Sequence, residues 1–161
     1  MIAITGHTNG FGKYMYDRLE AIGLSRSNGF NIRDHEKIIE AIKNCDIFIN
    51  NVADGFAQTE ILYAVFDEWQ NENKLIINIG SRSKDFSLRE REKSFGYSVE
   101  KLALDHASKQ LSGTFSACKV ASIHFGLIED IGNDVCFEYV KQIIESKDKS
   151  HRIVDMHISH G

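Results

Sequence analysis

The chain of 161 residues contains no proline. Its turns must come from glycine, asparagine, aspartate and serine, and loop boundaries lose one of their clearest marks. Cysteine is scarce. Cys45, Cys118 and Cys136 are odd in number and widely spaced, which excludes a disulfide framework and a zinc pattern and leaves reduced thiols. No apolar run approaches the length of a membrane span, and Met1-Ile2-Ala3-Ile4-Thr5 meets a glycine turn too soon for a signal peptide. A cytoplasmic protein with no membrane partner is expected. Charge of one sign is lacking too. A net charge of -4 and a pI near 6.0 give no broad basic surface, so nucleic acid is not an expected partner. His151, His157 and His160 cluster near the C-terminus in no recognised ligand spacing, and no metal is expected.

What is present is a repeated strand followed by a helix. At 42 % hydrophobic and 26 % charged, the composition suits one ordinary domain over 1–161. Strands are expected at Met1–Thr5, Gly23–Arg26, Gly29–Ile32, Asp46–Asn51, Leu75–Ile79, Val120–Phe125 and Arg152–Ile158. Helices are expected at Phe11–Ile22, Asp34–Lys43 (Asp34 as its cap), Phe56–Asn71, Phe95–Leu111 and Val135–Glu145. Short apolar strands alternating with helices indicate an α/β fold, a doubly wound parallel β-sheet with helices on both faces. Right-handed crossovers place ligands at the C-terminal ends of its strands.

Two local patterns carry chemistry. Gly6, Gly10 and Gly12 lie between the first strand and the first helix, where glycine lets the backbone approach a pyrophosphate and the helix N-terminus favours an anion. Tyr97 and Lys101 stand one turn apart where a helix begins. A phenol has an ordinary pKa of about 10, and a cation about 4 Å away at an effective dielectric of 20 is worth about 4 kcal/mol. That brings the phenol toward neutrality, where a general acid works best.

The glycine turn Thr5-Gly6-His7-Thr8-Asn9-Gly10-Phe11-Gly12, then Asn50-Asn51-Val52-Ala53, Asn78-Ile79-Gly80-Ser81 and Tyr97-x-x-x-Lys101 come in one order. Together they resemble the short-chain dehydrogenase/reductase family, with its T-G-x-x-x-G-x-G, N-N-A-G, N-I-S-S and Y-x-x-x-K, over nearly the whole chain. The resemblance implies a Rossmann-type sheet and a nicotinamide cofactor. Tyr97 is then the proton donor or acceptor, and Lys101 lowers its pKa and holds the nicotinamide ribose. Ser81 polarises the substrate oxygen, with Ser83 as a spare. The cofactor falls to Gly6, Thr8, Asn9, Gly10, Phe11, Gly12, Ser25, Arg26, Asn31, Ile32, Asn51, Val52, Ala53, Tyr97, Lys101, Gly126 and Leu127. The second strand ends without an acidic residue. Ser25 leaves room for a 2′-phosphate that Arg26 can pair with, so NADP is favoured over NAD.

The chain also departs from that pattern. Val52-Ala53 replaces Ala-Gly, Gly80 replaces a serine, Asp130 stands nearest the usual threonine, and Gln58 is the nearest candidate for the usual relay asparagine. The segment Gly126–Asn133 runs almost directly into a helix, where the family folds a lid, so an open substrate site is expected. Arg82, Lys84, Arg89, Arg91 and Lys93 alternate with Asp85, Glu90 and Glu92 and suggest a solvated face. His124 either lines the pocket or packs on its strand, and His106 is expected to be structural. Tyr63, Phe66 and Trp69 are core or interface aromatics. Helices Phe56–Asn71 and Phe95–Leu111 are the expected interface of a homodimer or homotetramer. The expected activity is oxidoreduction of a small carbonyl or alcohol. A cofactor-binding sensor with little catalysis is the other reading.

Overall fold

A computed structural model describes residues 1–85 and 95–161, with Phe95 by its backbone alone. Six parallel strands are β1 (Ile2–Thr5), β2 (Ala21–Leu24), β3 (Ile47–Asn50), β4 (Leu75–Ser81), β5 (Lys119–Phe125) and β6 (Asp155–Ile158). They lie in the order β2-β1-β3-β4-β5-β6. The helices are α1 (Gly10–Tyr16), α2 (His35–Ile42), α3 (Ala57–Trp69), α4 (Phe95–Ser112), the single turn α5 (Ile128–Ile131) and α6 (Asn133–Glu145). The expected doubly wound α/β sheet is present.

The two faces of the sheet are built differently. Ile4, Ile49, Ile77, Ile79, Ile123 and Phe125 point to the side of α1 and α6, where they pack with Phe11, Met15, Phe137 and Val140. Ala3, Phe48, Ile76 and Val120 point to the side of α2, α3 and α4 and meet Ile38, Leu62, Trp69 and Leu104. The alternation follows from the two-residue period of a strand buried on both faces. On this second face the apolar residues give way to Asn50, Asn78, Ser122 and His124 toward the strands' C-terminal ends, all buried.

Two expected boundaries are corrected. The helix begun at Phe11 stops at Tyr16, with Asp17 as its C-cap, and does not reach Ile22. Ala21 and Ile22 pair instead with Ile2 and Ala3 in the sheet, and backbone pairing overrides the helical spacing of the apolar side chains. Gly29–Ile32 is not a strand. A 3-10 turn at Arg26–Asn28 ends on Gly29, and Phe30 N donates to Ser25 O at 2.8 Å, so the chain folds back on itself and leaves no extended length to pair. Asp34 does cap α2, its Oδ1 accepting from Lys37 N.

Candidate functional site

The C-terminal ends of β1, β2 and β3 surround a cavity of about 390 Å³. Of the residues assigned to a cofactor, Gly6, Thr8, Asn9, Gly10, Phe11, Gly12, Ser25, Arg26, Ile32, Asn51, Val52 and Ala53 line it together. Leu24, Ser27, Phe30, Ile38 and Asp54 line it as well and were not expected. Leu24 ends β2 and Ile38 lies on α2, while Ser27 and Phe30 come from the turn that replaces a strand and Asp54 from the loop after β3; no local motif marks them. Asn31 is absent from this lining. It is exposed, and its Oδ1 accepts from Arg33 N at 3.1 Å within its own turn.

The floor of the cavity is held by the chain itself. Thr5 Oγ1 accepts from the backbone N–H of Asn51 at 3.0 Å and of Val52 at 3.2 Å, and Asn51 Nδ2 donates to Thr5 O. The loops after β1 and β3 are therefore one unit. Gly12 is obligatory here, since a Cβ on it would lie 2.0 Å from Gly6 O. Asn9 makes no side-chain cap on α1, which leaves the first turn open toward the cavity that Gly10, Phe11 and Gly12 line.

At the cavity edge, the Ser25 and Ser27 hydroxyls are 2.7 Å apart, and Asn28 Oδ1 accepts from Ser25 N at 2.8 Å. Asn28 Nδ2 donates to Gly23 O, which locks the turn. Arg26 is exposed and forms no ion pair among the described residues. Across the cavity Asp54 is occupied by Arg33, at 3.3 Å. A second hollow of about 410 Å³ lies between Gly10, Phe11, Ile128, Glu129, Gly132 and Asn133, where the segment after β5 makes the turn α5. Gly126 and Leu127 lead into that turn.

Tyr97 and Lys101 both stand on α4. Tyr97 is half-buried, and Lys101 Nζ lies 5.6 Å from its ring centroid. Lys101 is 4 % exposed. Its ammonium donates to Gln58 Oε1 at 2.7 Å and to Ile79 O at 3.2 Å. Gln58 in turn donates to Asn50 O at 2.7 Å and Ile79 O at 3.1 Å. Gln58 thus occupies a place beside the lysine. Burial pushes the Lys101 ammonium down to about 8, because the charged form is poorly solvated there. Ser81 and Ser83 hydroxyls are 2.8 Å apart, both buried, and Ser83 N donates to Ser81 Oγ at 3.2 Å. Asn50 Nδ2 bonds Asn78 Oδ1, and Asn78 Nδ2 bonds Ser108 Oγ, which ties β3, β4 and α4 together.

His124 is packed on its strand, fully buried, and lines neither hollow. Burial and Lys84 push its imidazole down to about 4. His106 is exposed on α4. Trp69 and Phe66 are core, while Tyr63 is partly exposed and donates its hydroxyl to Gln110. Asp130 caps nothing in either hollow. Arg89, Glu90, Arg91, Glu92 and Lys93 lie outside the described residues.

No family model and no curated protein matches the sequence. Solved structures do match the fold. Serine dehydrogenase from Escherichia coli superposes with a TM-score of 0.73 at 17 % identity, over 98 % of this chain and 96 % of that one. 4-Hydroxyisoleucine dehydrogenase, solved with NADH, gives 0.70 at 18 % identity over 99 % and 97 %. A short-chain dehydrogenase from Burkholderia cenocepacia, solved with NADP, gives 0.70 at 15 % identity over 99 % and 87 %. The fold is that of the short-chain dehydrogenases/reductases. Among the described residues no helix is long and apolar enough to cross a membrane.

Proposed function

We propose that this chain, as one domain over 1–161, is an NAD(P)-dependent oxidoreductase that moves hydride between a nicotinamide and a small carbonyl or alcohol, with NADP(H) preferred. The observation that carries this is the single cavity joining the glycine turn, Arg26 and Asn51 at the strand ends, with the buried Lys101 beside Tyr97 on the neighbouring helix. The open first turn of α1 and the glycine backbone suit a pyrophosphate. Ile32, Val52 and Ala53 give an apolar wall for the adenine, and Asn31 stands outside it. Gly126 and Leu127 follow β5 at the nicotinamide end.

When bound, the cofactor supplies or accepts the hydride. The chain does the rest. Tyr97 gives or takes the proton at the substrate oxygen, Lys101 favours the phenolate by its charge, and Ser81, backed by Ser83, donates to the same oxygen. Gln58 fixes Lys101 where the family uses an asparagine relay. NADP is supported by Arg26, whose guanidinium has no carboxylate partner among the described residues, and by Ser25 and Ser27, two hydroxyls suited to phosphate oxygens. Asp54 does not compete, because Arg33 neutralises it. A homodimer or homotetramer through α3 and α4 is supported by the exposed Tyr63, Val99 and Leu102. Light scattering tests it, and a monomer refutes it.

The test is NADPH and NADH oxidation over a panel of aldehydes and ketones. Turnover with NADPH above NADH is expected. Tight NADPH binding with no turnover on any carbonyl moves the chain to a cofactor sensor.

A further inference from the structure

We infer that the buried ionic cluster around His124 fixes how α4 is turned on the sheet, which makes Asp105 a positioning residue for Tyr97 and Lys101; this rests on the catalytic reading of those two. Tyr97, Lys101, Asp105 and Lys109 recur every four residues and form one stripe along α4. The buried apolar side chains described on this helix are Leu104, Ala107 and Leu111, all in its second half and its middle. The half that carries Tyr97 is anchored by Lys101 on Gln58 and the Ile79 carbonyl, and Asp105 ties the next turn, beside Leu104, to the cluster.

Asp105 Oδ1 lies 2.8 Å from Lys84 Nζ and 3.1 Å from His124 Nε2, and its Oδ2 accepts from Lys109 Nζ at 2.9 Å. His124 Nε2 also lies 2.9 Å from Asp155 Oδ1, and Asp155 Oδ2 is 3.0 Å from His157 Nε2 and 3.7 Å from Lys109 Nζ. Lys84 Nζ closes the ring at 3.5 Å from His157 Nε2. Burial alone would raise the Asp105 carboxyl, but hydrogen bonds from Lys84 and Lys109 hold it below its ordinary value. Gly80, His124 and His157 are in register across β4, β5 and β6. A Cβ on Gly80 would stand 2.3 Å from His124 Nδ1, so the glycine that replaces the family's serine makes the room for this imidazole. Neither ring nitrogen makes a well-aligned hydrogen bond among the described residues, but only Nε2 has carboxylate oxygens beside it, at 3.1 and 2.9 Å. The proton therefore belongs on Nε2, facing the two carboxylates.

His124, Asp155 and His157 bring ligand atoms within 4.8 Å of one another, the spacing of a metal site. The charges argue for a clamp instead. The two carboxylates, Asp105 and Asp155, are already matched by the two ammonium groups of Lys84 and Lys109, so a divalent ion would add two uncompensated charges beside the buried Lys84 and His124. Such a network adds little net stability, yet any rotation of α4 that separates its members leaves a charge buried and unpaired. An apolar contact tolerates that rotation; this one does not. Tyr97 stands about two turns from Asp105, roughly 12 Å along the axis, so a small change of azimuth there displaces the phenol. A misplacement of about 1 Å can cost about a hundredfold in rate.

The test is Asp105→Asn, read by steady-state kinetics with NADPH and by amide hydrogen exchange. Expected are a kcat lowered about tenfold or more, a KM for NADPH within about twofold, and faster exchange in residues 97–104 with α6 unchanged. Asp105→Glu should recover part of the kcat. If Asp105→Asn does not fold, Lys109→Met removes the half-exposed ammonium and should move the same readouts the same way by about threefold. Wild-type kcat and wild-type exchange in the variant that folds overturn the proposal. If the unmodified protein turns over no carbonyl, the exchange arm decides alone, and unchanged protection of α4 overturns it.

Discussion

One face of the sheet, toward α1 and α6, is apolar apart from Lys119 and Ser81 at the strand ends, and the other, toward α3 and α4, is apolar only toward the N-terminal ends of its strands. Both are buried across the central strands β3, β4 and β5. The first is held by area and shape, through Ile79, Ile123, Phe125 and Val140. The second carries Lys101, Asp105, Asn78 and His124 under a helix, each tied to a named partner. Apolar contact stabilises without choosing one registry, whereas a buried polar pair chooses one at some cost in stability. The face that holds Tyr97 is the face with polar keys, and that is where a reacting phenol needs fixed placement.

The comparison can be broken from either side, most heavily on the apolar face. Phe125 is 1 % exposed and meets the Phe11 ring edge-on at 5.4 Å. Phe125→Ala should cost about 3–5 kcal/mol in urea unfolding, by nearly the same amount at pH 7.5 and pH 10. A strongly pH-dependent cost would mean that this face is not purely apolar in its action.

The polar face should respond to pH. The Lys101 ammonium sits near 8 in the folded chain and has an ordinary value of 10.5. Between those values the unfolded chain holds a proton that the folded chain has released, so stability from this group rises with pH from 8 to 10.5. The gain approaches roughly 3 kcal/mol. Wild type should therefore improve against Lys101→Met across that window, and parallel unfolding curves would take Lys101 out of a dry site.

Smaller effects belong to the cavity. Gly12→Ala forces the Gly6 carbonyl away and should weaken NADPH binding about a hundredfold in fluorescence titration, with the fold retained in circular dichroism. Arg26→Ala should weaken NADPH about tenfold and leave NADH unchanged. Equal losses for both cofactors would remove Arg26 from the phosphate.

The sheet and the glycine turn were legible because their signals are local. Apolar runs such as Ile47-Phe48-Ile49 have the period of a strand, and Gly6, Gly10 and Gly12 sit at fixed offsets from it. The start of β2 was not legible, because Leu19 and Ile22 continue the helical spacing of Met15 and only pairing with β1 turns them into sheet. The wall residues Ser27, Phe30 and Asp54 lie in loops with no pattern of their own. The His124 cluster draws on Lys84 after β4, Asp105 and Lys109 on α4, and Asp155 and His157 on β6, and each resembles a surface charge when met singly. Gln58 was named for its position, but its bond to Lys101 depends on how α3 and α4 pack.

The central claim is that Tyr97 transfers the proton while a nicotinamide exchanges hydride. Its most direct test is the initial rate of NADPH oxidation with the best carbonyl of the panel, measured for wild type and Tyr97→Phe side by side. The account predicts a rate lowered about a hundredfold or more with NADPH affinity unchanged. A Tyr97→Phe enzyme that turns over like wild type would contradict it.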